Sequence, residues 1–463
     1  MGMRITTGMA MNTYRYNLQL STGNMTNSRN KVLTKRQFDS FAENPSGAIQ
    51  AWRVRRAMVN NNSYLNNNSD TYSRFRIAWE TMGMINTKLI DEASRKADLY
   101  AENDPTAGGR PATGKVMSDT ADSIVQAMNS AKFGSHFVFS GDDEMNAPFS
   151  WSVDGKTLLY RGVNVNAGGV KAPNEAPKWA SSPISDVTGL PEDMPSQGKN
   201  AVEDAWIAYY KNQKEIADFD ADPDPNKDPA DRPAALTKPS DLQDPFANSP
   251  KDKYEVPEDA YGKKESTDEA ERLWATYYLD QGDKNRLDML ANEYENVDLG
   301  MGLQEDADGK LVDGTAFNRA LPGIDMLGYG VDKNGDPNNV VMIMKRLGEI
   351  YGAADPETGK LDPDDARAAE LTKEADRLMD KLKEGRQYTA GKYVEIDTKA
   401  HFLTENQDRL EMQEDYLAEE RVNIENVDLA DAITEFSWDY YCYSAALKVG
   451  TQLLSQSLID YMS

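Results

Sequence analysis

The sequence predicts a mainly α fold with an α+β middle. Helices from the two chain ends pair as a long coiled-coil rod, and the middle forms an outward, β-rich, loop-rich insertion. Three observations predict it: a heptad stripe near the C-terminus, a thinner one near the N-terminus, and dense proline between them.

The C-terminal stripe is the clearer. From Leu429, the positions Ile433, Phe436, Tyr440, Tyr443, Leu447, Gly450, Leu454, Ser457 and Tyr461 follow in steps of four and three. Most are apolar or aromatic, and Leu458 adds to the apolar ending. A mean period of 3.5 keeps one face of a helix against a partner, so the stripe reads as a coiled-coil seam of roughly five heptads. Proline is absent from it, and Asn426 or Asp428 supplies a cap at its start. Upstream, Leu403, Leu410, Leu417 and Ile424 recur every seven residues, which predicts a preceding helix or the same one interrupted.

The N-terminal stripe mirrors this in weaker form. Met11, Leu18, Met25 and Val32 are spaced by seven, but the companion positions Tyr14, Ser21, Ser28 and Lys35 are mostly polar. So thin a stripe leaves a helix marginal alone in water, and it needs a partner surface. The candidate assembly interface is therefore Met11, Leu18, Met25 and Val32 with Leu429, Ile433, Phe436, Tyr440, Tyr443, Leu447, Leu454 and Leu458.

After a break at Asn44-Pro45-Ser46-Gly47, a long helix is expected along Tyr72, Phe75, Trp79, Met82, Leu89, Ala93 and Tyr100. It ends near Asn103, at Asp104-Pro105 and Gly108-Gly109. A further helix covers about 115–132, carrying Val116, Ala121, Ile124, Val125 and Met128. Then alternation over Phe133–Gly141, and again over Thr157–Val165, predicts two strands. Prolines crowd 170–262, eight of the 21 falling in 223–257, with acidic repeats such as Asp222-Pro223-Asp224-Pro225. That stretch reads as an irregular surface insertion. Amphipathic helices are expected near 200–218 and 266–293. A third, over 363–384, has Asp362 as cap, Pro363 in its first turn and Gly385 at its end. The domains that follow are a terminal helical pair (1–45 with 425–463), a helical rod (46–140 with 400–424) and a variable outer domain (141–399).

Composition excludes several function classes. No run of about 18 apolar residues is present, so no membrane span is expected. Met1 to Thr7 lacks the charged start and apolar stretch of a secretory signal, so any export is expected to use another route. The net charge of −26 argues against nucleic acid. It is unevenly spread: residues 1–140 hold 17 Lys and Arg against 11 Asp and Glu, whereas 401–463 hold 3 against 13. A basic beginning and an acidic end attract each other if they lie side by side; solvated surfaces explain the same numbers equally well. A single cysteine excludes an intrachain disulfide and a Cys-based metal cluster, and two histidines leave little imidazole for catalysis. No catalytic, cofactor-binding or metal residue is predicted, no cofactor is expected, and the chain is not expected to be an enzyme.

Individual motifs read as structural. Cys442, between two tyrosines, is expected to pack. Asp332-Lys333-Asn334-Gly335-Asp336 opens like a calcium loop, but its glycine is fourth rather than sixth and Ile343 stands where the twelfth-position Glu belongs, so a turn is expected. Asp306-Ala307-Asp308-Gly309 fails in the same way. Glu295–Leu299 and Glu425–Leu429 share the sequence Glu-Asn-Val-Asp-Leu and read as two helix starts. Arg53, Arg55 and Arg56 form the densest basic cluster, either solvated or in contact with acidic residues such as Glu411, Glu414 and Glu419.

Several stretches resemble the bacterial flagellin family, in particular its hook-associated members that join hook to filament. The opening Met3-Arg4-Ile5-Thr6 is similar to the family's start, and Glu43–Ala48 to the turn between its first two helices. His136–Gly141 resembles the family's exit from the helical region. Pro148-Phe149, Asp154-Gly155 and Tyr160-Arg161-Gly162 resemble the hairpin that follows, and Val427–Phe436 through Leu458–Tyr461 its terminal helix. The resemblance covers about 1–165 and 400–463, with a weaker patch at 315–352, including Leu321–Asp325 and Asn339–Met344. It implies a structural, extracellular protein of the flagellum, exported unfolded through the type III apparatus without a cleaved signal peptide. It further implies a homo-oligomeric ring between another hook-associated protein and flagellin, an export chaperone, and no nucleic acid or membrane partner. Filament flagellin itself and a non-flagellar coiled-coil binding module remain alternatives.

Overall fold

Helix accounts for 62% and strand for 7% of the computed structural model, so the α-rich character holds. The structure describes residues 7–38, 40, 42–91, 93–95, 109–222, 228–312, 314–354, 361 and 368–462, without the side chains of 7, 10 and 453–462. The helices are α1 (Thr7–Thr34), α2 (Pro45–Met84), α3 (Gly109–Ser130), α4 (Ala201–Ala221), α5 (Glu269–Ala291), α6 (Gly323–Leu327), α7 (Val340–Gly352), α8 (Ala368–Glu425) and α9 (Leu429–Met462). A π-helical turn, Ile85–Ile90, follows α2. The strands are β1 (Lys132–Phe133), β2 (His136–Phe137), β3 (Phe149–Trp151), β4 (Leu158–Tyr160), β5 (Val163–Asn164), β6 (Asn296–Val297) and β7 (Phe317–Asn318). They form three small antiparallel sheets among the described residues: β1-β2, β3-β4-β5 and β6-β7.

Two compact units emerge. The first comprises 1–69, 298–302 and 405–463; the second comprises 70–297 and 303–404.

In the first unit the start of α2 is a capped turn rather than a break. Asn44 Oδ1 accepts the Gly47 N–H at 2.9 Å, and Pro45 takes the first helical position, where its missing N–H costs nothing. Ala51, Val54, Asn61 and Asn68 then line one buried face of α2, while Leu410 and Leu417 are buried on α8. The buried amides are paired: Asn61 donates to the Leu410 carbonyl at 2.9 Å, and Asn406 to Asn68 at 2.9 Å and to the Leu299 carbonyl at 3.3 Å. Each such amide needs its partner at one height along the helix, so the seam fixes register.

The second unit holds the larger core, with Phe75, Met82, Ile85, Met117, Ile124 and Met128 fully buried. Of the expected α2 track, Phe75, Met82 and Ala93 are buried, and Trp79 stacks on Tyr393 with centroids 5.6 Å apart. Tyr100 and the expected end at 104–108 lie outside the described residues, and Gly109 opens α3 instead of closing a helix. Helices α3 and α7 approach so closely that a Cβ on Gly114 would fall 2.7 Å from the Gly352 nitrogen. One on Gly348 would fall 2.9 Å from the Gly114 carbonyl oxygen. Asn339, fully buried, caps α7 by accepting the N–H groups of Val341 and Met342 at 3.0 and 3.2 Å. A buried charge cluster ties the sheets to α2. Arg74, only 4% exposed, meets Glu144 and lies 3.7 Å from Glu295, Arg319 pairs with Glu295, and His136 lies 3.0 Å from Glu144.

Several expectations are corrected. Phe133–Gly141 is not one strand but the tight hairpin β1-β2, because Gly134 turns the chain at φ +61°. Thr157–Val165 is likewise two strands, folded back at Arg161-Gly162, both with positive φ. Gly385 does not end a helix. It lies inside α8, where a Cβ would fall 2.7 Å from Val340 Cγ2, so it serves close packing and not a cap. The proposed cap Asp362 and first-turn Pro363 lie outside the described residues. Glu425–Leu429 does start a helix, with Asp428 accepting from Ala430 and Asp431, but Glu295–Leu299 enters strand β6.

The proline-rich stretch is irregular, with short 3₁₀ turns such as Pro239–Asp241 and Glu258–Ala260. It is nevertheless not a merely solvated loop. Phe246, Val256 and Ala260 bury against Trp274 and Ala275 of α5, and Val202 and Trp206 of α4 against Leu273. The Asp332 loop is a turn: its Oδ1 accepts the Asn334 and Asp336 N–H groups at 2.7 and 3.0 Å, with Gly335 at φ +74°. Asp306 does the same for Asp308 and Lys310, and Asp252 for Tyr254 and Val256. The Asp252 turn carries no glycine and had no visible signal; Glu255 adopts φ +63° in its place.

Candidate assembly surface

Helix α1 carries few large apolar groups, and several of its hydroxyls are satisfied internally. Thr13, Thr22 and Thr34 donate to carbonyls four residues earlier. Its covered stripe is the expected one: Met11, Tyr14, Leu18, Ser21, Met25 and Val32 are half-buried and Ser28 is buried. The partner is α9. Gly450 forms a notch in which the Tyr14 hydroxyl lies where a Cβ would stand. Lys31 reaches Glu435 at 3.1 Å.

The chain ends are also joined through the backbone. Lys35 closes α1 in the left-handed region at φ +59°, its N–H bonded to the Lys31 carbonyl at 2.9 Å. The next residues pair antiparallel with the α8–α9 joint, Gln37 N–H to Glu425 carbonyl at 2.7 Å and Val427 N–H to Lys35 carbonyl at 3.2 Å. The Arg55 side chain meets Glu425 at 2.6 Å. That hydrogen bond, the largest influence on both groups, holds the Glu425 carboxyl below its usual range and raises Arg55. The acidic partner is thus Glu425 rather than Glu411, Glu414 or Glu419. Arg56 instead stacks over Trp52, 5.5 Å from the ring centroid.

On α9 the covered face and the apolar face differ. The covered positions are Ala432, Phe436, Asp439, Tyr443, Ala446 and Gly450. Of the candidate residues, Phe436 and Tyr443 are therefore turned inward. Leu429, Ile433, Tyr440 and Leu447 remain 43%, 47%, 58% and 41% exposed. Leu454 and Leu458 lie outside the described side chains. Trp438, Tyr441 and Val449, elsewhere on the circumference of α9, are exposed too. On α1, Met9, Tyr16, Leu20 and Leu33 are exposed as well. Sequence reasoning missed these because they fall off the heptad track, though large apolar residues on the polar face of a short-striped helix were the available signal. Cys442 is exposed rather than packed, because it falls between the covered positions Asp439 and Tyr443.

Large apolar side chains left uncovered on both helices make this pair a candidate docking surface. Among the described residues no helix is long and apolar enough to cross a membrane, and no group of three or more His, Cys, Asp or Glu is placed to hold a metal ion. No family model and no curated protein matches the chain.

Proposed function

We propose that the chain is a structural subunit of the bacterial flagellum, a hook–filament junction protein of the hook-associated protein 3 type. What carries the reading is the apolar stripe Leu429, Ile433, Tyr440 and Leu447, uncovered on a helix already paired with the opposite chain end. A helix with two apolar faces has one for its own chain and one for a neighbour. In this reading the paired ends extend as a coiled-coil rod, identical subunits close a ring by covering each other's stripes, and the mixed middle faces outward. Another hook-associated protein and flagellin occupy the two sides of the ring, and an export chaperone shields the stripe before secretion to the cell exterior. The resemblance of residues 1–165 and 400–463 to flagellin-family segments supports the assignment.

Deletion of the gene in the source bacterium tests it. The expected result is cells that keep their hooks and shed flagellin monomers into the medium. Normal filaments in the deletion strain reject the junction role. Loss of filament subunits themselves would instead mark the chain as flagellin.

A further inference from the structure

The second unit contains a groove of about 1190 Å³. One wall is a stripe on α5, where Arg272, Thr276, Asp280 and Asp283 succeed one another at helical spacing. Across from it stand Trp179, the N-terminus of α4 and the Asp332–Gly335 turn.

We propose that this groove binds a neutral oligosaccharide. Its charge balance is the first argument. In a chain of net charge −26 the lining sets Lys171, Lys178, Lys199, Lys264, Arg272, Lys333 and Arg377 against as many carboxylates. Such a lining gives a polyanion no field to follow and gives a cation no excess of acid. It does suit a ligand whose every group both donates and accepts. A sugar hydroxyl donates to a carboxylate and accepts from a guanidinium or ammonium, so intermixed signs satisfy both halves.

The second argument is rigidity. Asp280 is fixed before any ligand arrives, because its Oδ2 accepts the Gly168 and Val170 N–H groups at 2.9 and 2.8 Å. Burial raises its carboxyl to about 6, and burial raises Asp283 too. Trp179 is held edge-on to Tyr210, 5.8 Å between centroids, and Tyr210 is anchored to the Ala180 carbonyl at 3.1 Å. Val202, Trp206 and Leu273 back that wall. A fixed indole and fixed carboxylates bind a stiff ring without an ordering cost.

The third argument is size and lining: Trp179 and Asn166 stand with the charged groups around the groove. The volume exceeds what one small molecule fills and suits several sugar rings.

The test uses the purified full chain, independent of any flagellar role, titrated calorimetrically with maltoheptaose, N-acetylglucosamine hexamer, a heparin hexasaccharide and an acidic decapeptide. The expected result is saturable binding of at least one neutral oligosaccharide, weakened roughly tenfold in Asp283→Asn and in Arg272→Gln, the loss expected for one charge-assisted hydrogen bond. Neither side chain anchors the groove's backbone, so both variants should keep the wild-type circular dichroism spectrum and melt no earlier than the parent, Asp283→Asn losing only a burial cost. Failure of both neutral sugars, stronger binding of heparin or of the peptide, or equal affinity in both variants overturns the proposal.

Discussion

Asp280 couples a groove to a titration. Its carboxyl has an ordinary value of 3.8 and lies near 6 in the folded chain, with burial as the largest cause. The folded state therefore holds this proton more tightly than the unfolded one. Stability falls as pH rises from about 3.8 to about 6 and is flat beyond, with the ionised form carrying the cost of burial. Asp280→Asn keeps an oxygen for the Gly168 and Val170 N–H groups and removes that cost. The variant is expected to be about 1–3 kcal/mol more stable at pH 8 and no more stable at pH 4, read as melting temperature across pH. Equal melting temperatures at both pH values count against it. Glu425 runs the other way. Its carboxyl is depressed below 4.5 by Arg55, so its contribution is complete above that value and is lost as pH falls through the lower folded value. With Arg55 57% exposed, water screens the pair, and Glu425→Gln is expected to cost at most about 0.5–1 kcal/mol at pH 7. Denaturant midpoints at pH 7 and pH 3 separate this from a packing loss, which would persist in acid.

Glycine does its work at the level of elements, where α3 meets α7. Gly114 and Gly348 let the two backbones approach, and any side chain there must displace backbone rather than a flexible tip. Gly348→Val is expected to destabilise the second unit by roughly 1–3 kcal/mol, seen as an earlier thermal transition. Gly352→Ala, where a Cβ meets nothing within 4 Å, is expected to be neutral and serves as the control. The same physics explains what the sequence disclosed and what it hid. The heptads of α1 and α8 were legible because one covered face per helix leaves a period. Short strands such as β1 and β2 carry too few residues for a period, and a glycine reads the same whether it turns a chain, caps a helix or admits a neighbour, as Gly385 does. The α9 register was half legible. Phe436 and Tyr443 face α1, but Ala432 and Ala446 replace the bulky positions in the covered face, since small residues let α1 come close. Nothing marked the groove, whose lining is drawn from separate segments scattered between residues 164 and 377.

Across the whole molecule, the two ends meet while the apolar stripe beside their contact stays open. In the proposed reading, the covered and uncovered faces of α9 separate folding from assembly. Ile433 and Tyr440 are 47% and 58% exposed, so Ile433→Asp and Tyr440→Asp lose little packing within the chain. They do place a charge in any interface that covers the stripe, where an unpaired buried carboxylate is costly. Both variants are expected to keep the wild-type melting temperature and to lose concentration-dependent association by analytical ultracentrifugation, roughly a hundredfold or more in dissociation constant for each charge left unpaired. Phe436→Asp strikes the covered face instead. It should loosen α1 from α9, with faster amide exchange over residues 11–32, before any neighbour is involved. The contrast between the faces is the decisive reading. If Ile433→Asp and Tyr440→Asp associate as the parent does, neighbouring copies do not cover this stripe, and the ring falls with it. If they instead melt early while Phe436→Asp does not, the α1–α9 pairing has its faces reversed.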